Sequence, residues 1–283
     1  MVVQLKWICS NEMIKDNAIN LAAEEGNLEM LKFLRKEGCS WTRETCWEAA
    51  RNGHLDCLIY LHENGCDWDI WTCYAAAANG RLHILRYLHE EDCPWDERTC
   101  EIAAANGHLD CLIYLHEQGC PWHWITCKLA AANGRLDCLK YAHEEGCPWN
   151  WVTCMEAAKY GHLDCLIYAH ENDCKWDIQT CHQAAANGHL DCLRYAHENG
   201  CLWNWKTCEA AAANGHLDCL IYLYKNGCPY RNVRIYWAAK DNGHLHCSNY
   251  LKRKGCYASI LEQYKVLFLT ITILICIAYH VVN

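Results

Sequence analysis

Phenylalanine and proline are scarce: two and four in 283 residues. Positive charge is also short, with 25 Lys and Arg against 34 Asp and Glu, a net of −9. No basic run exceeds Lys252–Arg253–Lys254. Nucleic-acid binding needs a basic stripe, so no nucleic-acid partner is expected. No C-x-x-C pair occurs, and a structural zinc site wants four ligands at such close spacing. There is no phosphate loop, no G-x-S-x-G, no H-E-x-x-H and no glycine-rich dinucleotide turn. No enzyme, catalytic residue, metal or cofactor is therefore expected. The first ten residues, MVVQLKWICS, lack the apolar stretch of a secretion signal.

What the chain has in excess is repetition. Gly26, Gly53, Gly80, Gly107, Gly134, Gly161, Gly188 and Gly215 stand 27 residues apart, and Gly243 follows after 28. A second ladder runs Gly38, Gly65, Asp92, Gly119, Gly146, Asp173, Gly200, Gly227, Gly255, each followed by Cys. All four prolines, Pro94, Pro121, Pro148 and Pro229, share one repeat position. The position after it holds Trp from Trp41 to Trp203, and Tyr230 last. About nine units fill residues 13–257, after a lead-in over 1–12 and before a hydrophobic segment over 258–283.

Each unit reads as two short helices. In WDERTCEIAAANGHLDCLIYLHEQGC (residues 95–120), Asp96 is an N-cap. Thr42, Asp69, Asn150, Asp177 and Asn204 occupy the same place. The Ala-rich run Glu97–Asn106 is helix-prone, and Gly107 ends it in the left-handed region. A second helix covers about His108–Gln118, with Leu109, Leu112 and Leu115 at helical spacing. Asp92 and Asp173 replace Gly at its stop, and Asp tolerates the left-handed region. The fold class expected is an all-α solenoid of helix pairs, with a further hydrophobic helix at the C-terminus.

AAANGHLDCLIYLHENGC-type segments resemble the core of the ankyrin repeat in every unit. Ankyrin repeats have 33 residues, a β-turn and a T-P-L-H start. Here the period is 27 and Thr-Cys (Thr45–Cys46, Thr72–Cys73, Thr99–Cys100) replaces T-P-L-H. The chain looks like the shortened, hairpin-less variant abundant in large DNA viruses of protists and in some algal and protist genomes. That resemblance implies a non-catalytic protein–protein interaction scaffold whose first helices line a concave side. The roughly twelve residues before the first unit are too few for the F-box of viral relatives, so a ubiquitin-ligase adaptor is not expected.

Comparing the copies separates two faces of the first helix. Cys46, Ala49, Ala50 and Gly53 recur almost unchanged. Positions 44, 47, 48 and 51 vary, and they form one helical face. The partner-binding residues expected on it are Trp47, Arg51, Trp71, Tyr74, Arg98, Glu101, Ile102, Ile125, Lys128, Leu129, Val152, Met155, Glu156, Gln179, His182, Lys206 and Glu209. Their large apolar members favour recognition of another protein over drift on a solvated surface. Trp71, Trp124, Trp151 and Trp205 lie off the linker ladder and add contact candidates. On the second helix Ile59, Arg86, Ile113, Lys140, Ile167, Arg194 and Ile221 alternate, which points to growth by copying pairs of units.

The 25 cysteines admit a second reading, a metal- or redox-responsive protein; a third is a spacer without ligand. The His-x-x-Cys pattern (His54/Cys57, His108/Cys111) gives way to Ile84 and Met30 in other copies, which favours cysteine as a small buried hydrophobe. Equivalent cysteines on packed helices stand roughly 8–10 Å apart, too far for a disulfide. Free thiols suit a reducing, cytoplasmic setting. The second His ladder, His62 to His197, falls at helix C-termini, where a cation is favoured. Residues 266–282, VLFLTITILICIAYHVV, would span roughly 26 Å as a helix. Lys252, Arg253, Lys254 and Lys265 precede them, so this segment is a candidate anchor to an intracellular membrane.

Overall fold

A computed structural model describes residues 12–229 and 232–256. Its described residues divide between Trp149 and Asn150 into two compact units. The first holds five helix pairs. They are α1 (Glu12–Glu24) with α2 (Leu28–Lys36), α3 (Arg43–Asn52) with α4 (Leu55–Glu63), and α5 (Ile70–Ala78) with α6 (Leu82–Glu90). α7 (Glu97–Asn106) with α8 (Leu109–Glu117) and α9 (Trp124–Ala132) with α10 (Leu136–Glu144) complete it. The second holds four: α11 (Trp151–Tyr160) with α12 (Leu163–Glu171), and α13 (Ile178–Ala186) with α14 (Leu190–Glu198). α15 (Trp205–Ala213) with α16 (Leu217–Lys225) and α17 (Asn232–Asp241) with α18 (Leu245–Arg253) follow. Within each unit every odd-numbered helix packs on the next odd-numbered one and on its own partner. The described residues are all-α, with no strand among them. The hydrophobic C-terminal helix expected over 258–283, including the anchor at 266–282, lies outside the described residues. Among those described, no helix is long and apolar enough to cross a membrane.

Local chemistry explains where the helices begin. Asp96 Oδ1 accepts from Arg98 N–H at 3.0 Å, and Thr99 Oγ1 accepts from Asp96 N–H at 3.4 Å. Asp69, Asn150, Asp177 and Asn204 likewise accept from the N–H two residues on, without the returning threonine bond. His123 takes this place before α9 without a side-chain cap bond. Asp92 and Asp173 adopt φ of 57° and 65°, the left-handed stop expected of them.

The core is built from rungs of small residues and Leu. Cys46, Ala49 and Ala50 in α3, Cys73, Ala76 and Ala77 in α5, and Cys100, Ala103 and Ala104 in α7 are all buried. Side chains this short let successive first helices approach closely. The second helices add Leu58 and Leu61, Leu85 and Leu88, Leu112 and Leu115. Overpacking a filled site forces strain on its neighbours. Ala76→Leu is therefore expected to lower stability by about 2 kcal/mol, read from the thermal unfolding midpoint. An unchanged midpoint would mean that the rung tolerates extra volume.

The linker tryptophans seal the outer seams. Trp68 stacks on His62 at 3.7 Å between centroids and meets Tyr87 of the next pair edge-on at 5.9 Å. Trp122 with His116 and Tyr141, and Trp203 with His197 and Tyr222, repeat the arrangement. The His ladder thus sits in the last helical turn, as expected, and its rings also serve as packing surface.

Candidate functional site

The variable face is carried by the odd-numbered helices. In the first unit the rigid rungs of α3, α5, α7 and α9 hold one side of each helix. Positions on the opposite side are left to solvent to different degrees. Trp71 is the most open, 61% exposed, although Thr72 and Cys73 beside it are buried. Its ring meets Tyr74 edge-on at 5.3 Å. Trp47 is 37% exposed, and Arg51 and Arg98 are exposed. Glu101, Ile102, Ile125, Lys128 and Leu129 are half-buried, and Lys128 Nζ lies 6.0 Å from the Trp124 ring.

Two expected contact residues do not belong to the open face. Tyr74 is only 6% exposed, because its hydroxyl reaches the next pair and donates to Asp96 Oδ1 at 2.7 Å. Burial and that carboxylate push the Tyr74 phenol well above its ordinary pKa, so it stays a neutral donor. It is a strut between α5 and the N-terminus of α7. Glu156 in the second unit is 9% exposed, with Lys159 Nζ 3.5 Å away. Glu44 remains exposed, in contrast.

In the second unit Gln179 and Lys206 are exposed, and Val152, Met155, His182 and Glu209 are half-buried. Trp151 is 42% exposed. Burial, with the nearby Lys206 charge, lowers the His182 pKa, so this imidazole is neutral at pH 7. Some charges on or beside the face are paired: Arg51 with Glu48 at 3.6 Å, Arg43 with the N-cap Asp69 at 3.6 Å, and Arg234 with Glu209 at 2.6 Å. Such pairs keep the charge local and leave the tryptophans as the distinctive chemistry.

The opposite helices carry Ile59, Ile113, Lys140, Ile167 and Ile221 half-buried and Arg86 and Arg194 exposed. Arg86 lies over the Tyr114 ring at 4.9 Å.

A structural device escaped sequence reasoning. In the first unit the residue after a first-helix glycine reaches back 30 positions to the preceding pair. His54 Nε2 donates to Glu24 O at 2.9 Å, Arg81 Nε to Arg51 O at 3.1 Å, and His108 Nε2 to Ala78 O at 3.0 Å. These bonds satisfy carbonyls left orphaned at helix C-termini. The exchange of His for Arg at this position was a readable signal, since both are long donors. Among the described residues no three His, Cys, Asp or Glu side chains converge as a metal site.

Comparison with known proteins adds the family. Residues 46–123 match the family profile described as ankyrin repeats in three copies, and residues 181–224 match ankyrin repeats in many copies. A search of curated proteins found no match. Among solved structures, the chain is similar to the human ASB11 ankyrin repeat domain at 21% identity and a TM-score of 0.49. The likeness covers 56% of this chain and 84% of that one.

Proposed function

Because the chain belongs to the ankyrin repeat family, we propose that it is a non-catalytic scaffold that captures another protein on the variable face of its first helices. Trp71 carries this reading. A 61% exposed indole keeps most of its apolar surface in water, on a helix where Thr72 and Cys73 beside it are buried. Trp47, Arg51 and Arg98 extend the surface in the first unit. Exposed Trp and Arg are the residue types that dominate binding energy at interfaces. Ile102, Ile125, Lys128, Leu129 and Glu101 surround them. In the second unit Val152, Met155, Gln179, His182, Lys206 and Glu209 offer a comparable surface. The test is proximity labelling by the full chain in cells, beside a variant carrying Trp47→Ala, Arg51→Ala, Trp71→Ala and Arg98→Ala. The wild type should enrich a discrete set of proteins that the variant loses, with helicity unchanged; equal enrichment by both would refute the face.

The apolar segment 266–282 supports a further part of the proposal, attachment to an intracellular membrane with the repeats on the cytoplasmic side. Its length suits a thin bilayer, and the preceding lysines and arginine suit the cytosolic leaflet. Full chain is expected to stay in the pellet after alkaline carbonate extraction of membranes. Release to the supernatant would remove the anchor and leave the capture surface untouched.

A further inference from the structure

The cysteines pair within repeats, not between them. In each of the seven interior repeats the first-helix Cys has a linker Cys 20 residues on, beginning with Cys46/Cys66 and Cys73/Cys93 and ending with Cys208/Cys228. Cys46 Sγ lies 3.1 Å from Cys66 Sγ, and Cys73 Sγ lies 3.4 Å from Cys93 Sγ. In later repeats the helix thiol donates instead to the linker cysteine's carbonyl, Cys154 Sγ to Cys174 O at 3.6 Å and Cys181 Sγ to Cys201 O at 3.7 Å. Each linker thiol also donates onward to the carbonyl of its own repeat's N-cap residue, as Cys66 Sγ does to Thr42 O at 3.3 Å and Cys93 Sγ to Asp69 O at 3.5 Å. The two end repeats break the pattern: Ile19 and Ile235 stand where the helix Cys would be, opposite Cys39 and Cys256. Packing therefore accepts Ile at this site, yet all seven interior copies retain both cysteines, and in the first two the sulfurs are in contact.

We propose that the repeats holding Cys46/Cys66 and Cys73/Cys93 each carry a preorganised dithiol that a peroxide converts to an intra-repeat disulfide, making them a reversible oxidative modification site. A disulfide needs sulfurs at about 2.05 Å, so the Cys46/Cys66 pair closes by roughly 1 Å. In the Cys46/Cys66 pair the linker sulfur, which accepts the S–H of Cys46, is the nucleophile. Accepting that bond lowers the Cys66 pKa, whereas donating it, with burial, raises the Cys46 pKa. Cys174 and Cys201 are also lowered, by hydrogen bonds from Cys154 and Cys181. The linker thiolate attacks one peroxide oxygen, the O–O bond breaks, and hydroxide leaves from a sulfenic acid. The helix thiol then attacks that sulfenic sulfur; the S–S bond forms, the S–O bond breaks, and water departs with the helix thiol's proton. Two thiols lose two electrons in total and the peroxide gains them. The second-helix thiols have no such partner bond: burial first, then the neighbouring Asp56 and Asp110 carboxylates, push Cys57 up to about 11 and Cys111 up to about 12. Local opening of single repeats admits a molecule as small as hydrogen peroxide.

The test uses reduced full chain titrated with hydrogen peroxide while its helicity is followed, then denatured in N-ethylmaleimide, cleaved with trypsin and weighed by mass spectrometry. Arg51 separates Cys46 from Cys66, and Arg81 and Arg86 separate Cys73 from Cys93, while residues 52–81 carry Cys57, Cys66 and Cys73 on one peptide, so fragmentation spectra assign each link. Dithiothreitol-reversible links of these two pairs are expected at native helicity, with Cys57 and Cys111 recovered as maleimide adducts. Cys66→Ala should abolish the first link and leave the second. Thiols that stay labelled at every pair, links formed only after helicity is lost, or links to Cys57 in equal yield would each overturn the proposal.

Discussion

Gly80→Ala should destabilise the first unit by about 3 kcal/mol, whereas Gly65→Ala should cost only about 1 kcal/mol. Both glycines hold a left-handed backbone, φ +66° at Gly80 and +81° at Gly65. A Cβ is strained at either place. They differ in what the Cβ would meet. At Gly65 nothing lies within 4 Å. At Gly80 the imidazole of His108 lies 2.5 Å away at Nδ1. That ring is held by its bond to Ala78 O at 3.0 Å, so it must leave the carbonyl to make room. A buried or half-buried hydrogen bond is worth about 1 kcal/mol, which adds to the backbone strain. The excess cost at Gly80 should shrink in a Gly80→Ala, His108→Ala double variant, because the two residues are in contact and couple. Equal losses at the two glycines would show that the inter-repeat clamp contributes nothing.

The four-residue face variant should weaken partner capture at least about 100-fold, since removal of a hot-spot Trp or Arg commonly costs 2 kcal/mol or more and 1.4 kcal/mol is tenfold. The effect comes from the indoles foremost. Trp71 is mostly in water and loses little folding energy on truncation, and Trp47, 37% exposed, still offers an open ring edge. A bound partner would remove both from solvent. Arg98 is exposed without an ion-pair partner among those described, and its planar donor fork suits a carboxylate or a carbonyl on the partner. Alanine is also the best helix former, so α3, α5 and α7 should persist in the variant.

Much of this architecture was legible because copies act as internal controls. Nine variants of one segment showed which positions must be small, and the caps at Asp96, Asn150 and Asp177 follow from short-range hydrogen bonding alone. Left-handed Asp92 and Asp173 were legible for the same reason. What stayed hidden depends on reach between repeats. Helical spacing placed Tyr74 beside Trp71 on the open face, but only coordinates show its hydroxyl landing on Asp96. Glu156 sits on the same face by spacing and is covered in space. The cysteine pairs were missed because equivalent residues 27 apart were weighed, and the sulfurs that meet are 20 apart. The cue was present in the end repeats, where Ile19 and Ile235 replace one member of each pair.

The central claim is a division of labour: alanine and cysteine rungs hold the repeats together, and the opposite face of the same helices is free for a partner. The thermal unfolding midpoint of Ala76→Leu, measured beside that of the four-residue face variant, tests it most directly. The account predicts a fall of roughly 4–8 °C for Ala76→Leu, at about 2–4 °C per kcal/mol for a domain of this size, and a change within about 2 °C for the face variant. A face variant that melts far below the wild type, with Ala76→Leu unaffected, would contradict it.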